Sequence, residues 1–210
     1  MKENYIALVE TFIITAVYLF IGLLVELIWN LILGDRLEYE IGNFLCSAIS
    51  EAIRIAVFAV LLCALQKEKP NEKRHIGIKK QSMLMFLIII IPIAFMIVYK
   101  TVCIHFGYEY DVNSNLELRD WVMVFLTPFA EEITFRGCMI SLARKRGINE
   151  KMMIVVSAIA WAVLHPYNII MVVSIFIVGL LYGIIYSKTG SLKYGIVSHV
   201  IYNLISILGY

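Results

Sequence analysis

Long apolar runs separated by short polar connections make up almost the whole chain. The first run, Ile6–Leu33, is interrupted only by Glu10 and Glu26. It is longer than a signal-peptide core and no small-residue cleavage site follows it, so we expect it to stay as a membrane anchor. Further runs lie at Asn43–Leu65, Met83–Lys100, Leu118–Leu142, Met152–Leu164, Ile169–Tyr186 and Tyr194–Tyr210. The pattern predicts an all-α, polytopic membrane protein with about seven transmembrane helices, although the short fifth run also suits a re-entrant segment.

The composition supports this class and excludes others. The mean hydropathy is +0.84, and 16% of the residues are charged, whereas soluble domains carry about 25%. A formal net charge of +2, with the basic residues in connections between runs, provides no face for binding nucleic acid. We see no repeat, low-complexity tract or domain boundary. Residues 1–210 are therefore expected to form one integral domain in the lipid bilayer.

Lys and Arg residues concentrate in two of the connections. Gln66–Ser82 carries six of them against two glutamates, and Arg144–Lys151 carries a second cluster. Cytoplasmic connections of membrane proteins are enriched in Lys and Arg. We therefore expect both connections and the N-terminus on the cytoplasmic side. Cys103–Glu117 has neither Lys nor Arg and is expected on the outer side.

The four cysteines lie in or beside apolar runs and show no Cys-x-x-Cys spacing. They are Cys46, Cys63, Cys103 and Cys138. We expect them to be reduced core residues, neither disulfide-bonded nor metal-binding.

The stretch Pro128–Gly137 sets two adjacent carboxylates and a guanidinium inside the fourth apolar run. Ionisable side chains at membrane depth are rare and face a bundle interior or a wet cavity. Glu132 and Arg136 are four residues apart and can pair on one helical face, whereas Glu131 points about 100° away and stays free to act as a base. Pro128 lacks an N–H and should bend the helix, which opens room beside the carboxylates. The alternative is an ion pair that only locks two helices.

Three further polar residues reach a similar depth on later runs. At about 1.5 Å per residue from the nearest basic connection, Glu131 lies roughly 20 Å deep, His165 about 21 Å, His199 about 9 Å and Asn203 about 15 Å. His199 and Asn203 share a helical face because they are four residues apart. We expect these groups to form one layer that opens to the cytoplasm, although each histidine alone also suits a hydrogen bond between helices.

The motifs that other classes of hydrolase require do not occur in this sequence. No His-Glu-x-x-His motif of the usual two-histidine zinc site occurs. The three aspartates fall in connections or at the end of a run, so they cannot form a buried pair. None of the serines within the runs has a Gly-x-Ser-x-Gly setting. Glutamate remains as the candidate base.

Three motifs follow one another on successive runs. They are Glu131-Glu132-x-x-x-Arg136, an aromatic-x-x-x-His motif that ends at His165, and His199-x-x-x-Asn203. Together they resemble the family of CAAX-prenyl endopeptidases and bacteriocin-processing or self-immunity proteins, the glutamate-type intramembrane proteases. The resemblance covers about residues 121–208. The family usually has Phe where this chain has Trp161, a residue that we expect to pack rather than react.

The resemblance implies roles for the motif residues. Glu131 and His165 would activate a water molecule for attack on a peptide bond. His199 and Asn203 would stabilise the oxyanion. The first half of the chain carries no motif, so residues 1–117 are expected to be scaffold and substrate entrance, and residues 118–210 to be the catalytic helices. The pair Glu51–Arg54 in the first half is expected to be structural.

Family members are considered metal-independent, and the resemblance implies no cofactor. It gives Glu132 and Arg136 a supporting role. Glu131 and the two membrane-embedded histidines would also suit a three-ligand zinc site. The nearby charge of Arg136 argues against zinc, because it would repel a dication.

Two other functions fit parts of the pattern. In a proton- or cation-coupled transporter, the glutamates and histidines would relay protons or hold a cation, but such a relay should link both faces, and the ionisable groups here gather in one layer. A degenerate immunity protein would bind a peptide without cleaving it, yet every motif residue is present. We therefore expect an intramembrane endopeptidase. Its substrate would be a membrane-associated protein or peptide, either CAAX-type prenylated or similar to a bacteriocin or signal peptide.

Overall fold

The computed structural model describes residues 2–33, 37–68, 78–107, 116–165 and 169–208. Within these ranges the regular structure is helical and contains no strand, so the predicted all-α class is confirmed. Most of the predicted connections at Gln66–Ser82 and Cys103–Glu117 lie outside the described residues.

The helices follow the predicted apolar runs. They are α1 (Lys2–Ile32), α2 (Tyr39–Glu68), α3 (Ile78–His105), α4 (Leu118–Phe125), α5 (Thr127–Glu131), α6 (Met139–Arg146), α7 (Glu150–Val163), α8 (Ile169–Thr189) and α9 (Lys193–Ile207). A π-helical segment, Glu132–Cys138, joins α5 to α6. The fourth predicted run is therefore divided into short pieces, whereas α3 continues through Pro92.

Within the described ranges, four helices, α1, α2, α3 and α8, are long and apolar enough to cross a bilayer, as expected for an integral membrane protein. They are fewer than the seven predicted spans, because the fourth run is broken and two others are short. α7 and α9 have 14 and 15 residues. At 1.5 Å per residue they rise about 21 and 22 Å, less than the hydrocarbon thickness of about 30 Å.

Large apolar side chains are exposed over much of the bundle surface, whereas one pair of charged residues is fully buried. Phe12 and Leu31 on α1 are 73% and 77% exposed, as suits side chains that face lipid tails. In contrast, Glu132 and Arg136 are 1% and 0% exposed and lie among core residues such as Phe135. The groups that cost most to bury thus lie where the helices pack closely.

Two contacts between helix termini define one end of the bundle. Arg146 at the end of α6 pairs with Glu10 near the start of α1. Gln66 near the end of α2 donates to the hydroxyl of Tyr186 near the end of α8, at 3.5 Å. The last turn of α2 contains Lys67 and the last turn of α6 contains Arg144, Lys145 and Arg146, so we call this the basic end.

The other end of the bundle contains the end of α1 and the start of α2, which follow each other in the chain. A Cβ atom built on Gly42 would lie 3.8 Å from Nε1 of Trp29. The backbone N–H of Leu118, the first residue of α4, donates to the carboxylate of Glu40 at 3.1 Å. We call this the opposite end.

Candidate active site

The helix that carries the two glutamates is interrupted one turn before them. α4 ends at Phe125, and α5 begins at Thr127 with Pro128 in its first turn. Proline cannot donate a backbone hydrogen bond and therefore disfavours a continuous helix. The break that Pro128 predicts is confirmed.

A π-helical segment then carries the chain from Glu132 to Cys138. Its wider turn is closed by the N–H of Met139, which donates to the carbonyl of Thr134 five residues earlier. The hydroxyl of Ser157 on α7 donates to the carbonyl of Phe135 at 2.6 Å, so α7 fixes this turn from outside. π-Helical turns are often found at functional sites. The apolar pattern did not indicate this one.

Glu132 and Arg136 form the ion pair that their spacing predicts. Nη1 of Arg136 lies 3.0 Å from Oε1 of Glu132. The guanidinium carbon of Arg136 lies 4.2 Å from the centroid of the Trp161 ring and 5.5 Å from that of Tyr182. Aromatic faces attract a cation, so the two rings stabilise the buried charge.

Glu131 stands at the centre of a second set of contacts. Its Oε2 accepts a hydrogen bond from Nε1 of Trp161 at 2.6 Å and lies 3.7 Å from Nε2 of His199. Its Oε1 lies 3.9 Å from Nε2 of His165. Residues from α5, α7 and α9 therefore meet at one carboxylate. Trp161 was expected to pack rather than react; it packs in the core, and its indole N–H also donates to the candidate base.

His165 follows the last turn of α7 and is no longer helical. Its Nδ1 lies 2.9 Å from the carbonyl oxygen of Trp161. A carbonyl oxygen only accepts, so Nδ1 carries the proton in this contact. The other nitrogen, Nε2, is then directed towards Glu131.

His199 lies between the two carboxylates. Its Nε2 faces Glu131, and its Nδ1 lies 3.4 Å from Oε1 of Glu132. The ring also packs against Trp161 and Tyr182, with centroid distances of 5.2 and 5.9 Å. In the doubly protonated form each ring N–H of His199 would face an acceptor.

Asn203 lies one turn after His199 on α9, as predicted, but its amide is directed elsewhere. Its Nδ2 donates to the backbone carbonyl of Met123 at 2.8 Å. This bond links α9 to α4. The structure thus brings together Glu131, Glu132, Arg136, His165 and His199, whereas Asn203 binds the neighbouring backbone.

A cavity of about 580 Å³ reaches Glu131 and His165. It extends between α1, α2 and α4 towards residues such as Trp29 and Asn43, which lie near the opposite end. The first half of the chain supplies much of its wall, as expected for a substrate entrance. The individual wall residues could not be predicted as such, because nothing in their spacing along the chain relates them to Glu131.

The predicted ion pair between Glu51 and Arg54 is confirmed, with Oε1 and Nη1 2.6 Å apart. Both residues also line the cavity. Nε of Arg54 donates to the carbonyl of Tyr18 at 3.1 Å, so the pair also connects α2 to α1.

All four cysteines lie within the described part of the chain and are free. Cys103 and Cys138 are buried as predicted, whereas Cys46 is half-buried and Cys63 is exposed, so the expected core position is wrong for these two. Over the same part, no group of three or more His, Cys, Asp or Glu side chains is arranged to hold a metal ion.

Residues 113–205 match the model of the family described as type II CAAX prenyl endopeptidase Rce1-like. The matched segment is somewhat less than half of the chain and includes all six motif residues. It confirms the resemblance expected from the three motifs and implies a protease that acts on a membrane-associated substrate. No curated protein and no solved structure matches the chain.

Proposed function

We propose that this protein is an intramembrane endopeptidase that hydrolyses a peptide bond of a membrane-associated protein or peptide. The observation that carries the proposal is the position of Glu131 and His165. Both line the cavity, and their Oε1 and Nε2 atoms are 3.9 Å apart. Such a separation is too long for a direct hydrogen bond and suits a bridging water.

In this mechanism Glu131 is the general base. Trp161 donates to its Oε2, which leaves Oε1 on the side of His165. The carboxylate takes a proton from the water as the oxygen attacks the peptide carbonyl, and His165 orients that water. Glu131 then returns the proton to the departing amine as the carbon–nitrogen bond breaks.

The neighbouring charges would support this chemistry. Glu132 and Arg136 neutralise each other, and Glu132 also lies beside Nδ1 of His199. We assign His199 and Asn203 to the oxyanion, as the family resemblance implies. For Asn203 this role requires its amide to leave the carbonyl of Met123 when substrate binds.

We propose a metal-independent reaction, in which the carboxylate rather than a metal activates the water. Residues 118–210 form the catalytic part in this proposal, and residues 1–117 supply scaffold and cavity wall.

The direction of the cavity changes the side of the membrane from which we expect substrates to reach the site. The Lys and Arg distribution favours a cytoplasmic position for the basic end, whereas the cavity extends towards the opposite end. The two expectations, a cytoplasmic basic end and a site open to the cytoplasm, therefore conflict. We retain the first and propose that substrates reach Glu131 from the outer side of the membrane.

Mass spectrometry of membrane peptides tests the proposal. Cells that carry the intact protein are compared with cells that carry Glu131→Gln, which keeps the shape of the side chain and removes the base. We expect at least one membrane peptide to be cleaved only with the intact protein. Glu38→Gln, at an exposed carboxylate near the opposite end, is the matched control and should cleave like the intact protein.

Identical peptide profiles for the intact protein and Glu131→Gln would contradict the proposal. If the intact protein retained an uncut peptide on purification, the function would be binding without cleavage.

A further inference from the structure

The wall of the cavity beside Glu131 is largely polar, although the cavity lies inside an apolar bundle. Of the twenty described residues that line it, five have aliphatic or thioether side chains: Leu19, Leu23, Val122, Met123 and Leu164. A shallow hollow on the exposed face of α1 is different, because every described residue that lines it is apolar: Phe12, Ile13, Ala16, Val17 and Phe20. The polar wall therefore distinguishes the cavity from the surface that faces lipid.

Part of this wall is a stripe of polar side chains along α2. Its members follow one another at steps of four, three and four residues: Asn43, Ser47, Ser50 and Arg54. Such steps place side chains on one face of a helix. At about 1.5 Å per residue the stripe is about 16 Å long, which matches about five residues of an extended chain. It begins at the opposite end and lines the same cavity as Glu131.

The first three members of the stripe are available to a ligand. Asn43 and Ser47 are half-buried and Ser50 is 8% exposed, and none of the three has a side-chain hydrogen bond within the described part of the chain. Arg54 differs, because it is paired with Glu51. A buried polar group without a partner costs free energy. A ligand that fills the cavity must therefore supply hydrogen-bond partners along the stripe.

The outer part of the cavity carries charges on two of its walls. Glu26 on α1 and Arg119 on α4 both line the cavity and are exposed. Neither is in an ion pair with another described residue. Charged side chains at membrane depth face protein or a water-filled space rather than lipid. A polar ligand can therefore enter at the opposite end and continue along the stripe.

An extended peptide backbone has the groups that the stripe requires. It presents one N–H and one carbonyl per residue. Within the thickness of a membrane these groups must be paired by protein or water. A prenyl chain has neither group and would leave Asn43, Ser47 and Ser50 without partners. The stripe thus suits a peptide backbone and disfavours a prenyl chain.

We propose that Asn43, Ser47 and Ser50 bind the backbone of an extended, unprenylated segment of the substrate and hold it in the cavity beside Glu131. This inference rests on the proposed function and selects one of the two substrate classes that the motifs leave open. The three residues lie in the first half of the chain, outside the segment that matches the family.

A triple variant with Asn43→Leu, Ser47→Ala and Ser50→Ala tests the stripe. The probe is a synthetic, unprenylated, internally quenched peptide with the sequence of the membrane peptide cut only when Glu131 is intact. Loss of one hydrogen bond typically weakens binding by about 2- to 10-fold. We expect KM for the purified full-length variant to rise by about 10-fold or more, with kcat changed by less than about twofold, because the stripe binds substrate and takes no part in the reaction.

Thr101→Val is the matched control, because this hydroxyl is exposed on α3 and is not among the described residues that line the cavity. It should keep the KM of the intact protein. Thermal unfolding shows whether the triple variant is folded. If it is not, the single variant Ser47→Ala replaces it, with an expected rise in KM of about 2- to 10-fold. An unchanged KM in the folded variant would overturn the role of the stripe.

Binding to Glu131→Gln gives a second readout that does not depend on turnover. Fluorescence anisotropy of a labelled, unprenylated copy of the peptide measures Kd, which should rise by the same factor when the three substitutions are added. Unlabelled peptide should displace the probe, whereas N-acetyl-S-farnesylcysteine should not. Displacement by the farnesyl compound would overturn the choice of an unprenylated segment.

The two proposals fail in different ways. Equal peptide cleavage by the intact protein and Glu131→Gln would overturn the proposed function, and the role of the stripe with it. Cleavage that requires Glu131 but has the same KM in the triple variant would overturn only the role of the stripe.

Discussion

Gly195 of α9 leaves no room for a side chain next to Glu132 of the π-helical segment. A Cβ atom at this glycine would lie 2.6 Å from Oε2 of Glu132, well inside the contact distance. The absence of a side chain therefore allows α9 to approach the π-helical segment. This approach brings His199, one turn later, between the two glutamates.

We expect Gly195→Ala to displace Glu132 or α9 and to lower both thermal stability and peptide cleavage. Overpacking of a buried site typically costs about 1–3 kcal/mol. Thermal unfolding and cleavage of an internally quenched peptide, with the sequence of the membrane peptide cut only when Glu131 is intact, measure the two effects in detergent. Gly42→Ala is the matched control, because its nearest neighbour would lie at 3.8 Å, an ordinary contact. Equal losses in both variants would show that the close approach at Glu132 is unimportant.

Arg136→Ala and Glu132→Gln should each lower the stability of the protein as well as its activity. Each leaves one buried charge without its partner, and such losses typically cost about 3–5 kcal/mol. Glu131 lies 3.7 Å from His199 and 3.9 Å from His165, so Glu131→Gln breaks no close ion pair. This variant should unfold close to the temperature of the intact protein. Thermal unfolding of the three purified variants provides the comparison. An Arg136→Ala protein as stable as the intact one would contradict the supporting role of the pair.

Trp161→Phe should reduce stability because Oε2 of Glu131 loses its indole donor. Leaving a buried acceptor unsatisfied costs about 1–3 kcal/mol. The phenyl ring can still pack near Arg136, so we expect a folded protein with altered cleavage kinetics. Trp121→Phe, at a more exposed tryptophan on α4, is the control for loss of an indole. The prediction is wrong if the two substitutions lower the unfolding temperature equally.

Cys46 offers a native probe of the side from which the cavity is reached. It lines the cavity and is partly exposed. In a variant with Cys63, Cys103 and Cys138 replaced by alanine, an impermeant thiol reagent applied to intact cells should label Cys46 and block cleavage. A cysteine introduced at Lys151, at the basic end, should react only after the membrane is opened. The reverse labelling pattern would invert the proposed orientation.

Prolonged chelation should leave peptide cleavage unchanged, because the mechanism uses a carboxylate base and no metal. The charge of Arg136 next to Glu132 also disfavours a dication nearby. Elemental mass spectrometry of the purified protein measures its metal content directly. Stoichiometric zinc, with activity lost on chelation and restored by its return, would make the protein a metalloprotease.

Local geometry made part of this site predictable from sequence. The four-residue spacing of Glu132 and Arg136 sets one helical face, and Pro128 removes a backbone donor, so the ion pair and the helix break follow from short-range rules. The convergence of His165 and His199 followed from their depth in apolar runs together with the motifs. These features depend on residues that are close in the chain or on the thickness of the membrane.

Other features depend on packing between distant segments, which an apolar pattern does not encode. Most positions of α1 are apolar, so nothing distinguishes Tyr18 as a cavity residue before α1 is placed against α2. The hydrogen bond from the indole of Trp161 to Glu131 was not predicted, because it depends on the relative position of α7 and α5. The π-helical segment could not be predicted either, because no characteristic spacing of apolar residues marks it.

Trp161 contacts four charged or titratable residues with one ring system. The indole donates to Glu131, lies under Arg136, and meets His165 and His199 edge-on at centroid distances of 5.5 and 5.2 Å. The free-energy effects of substituting these residues should therefore not add, because each change alters the ring that the others share. The site would then respond to mutation as one thermodynamic unit, whose parts are measurable only through double-mutant cycles.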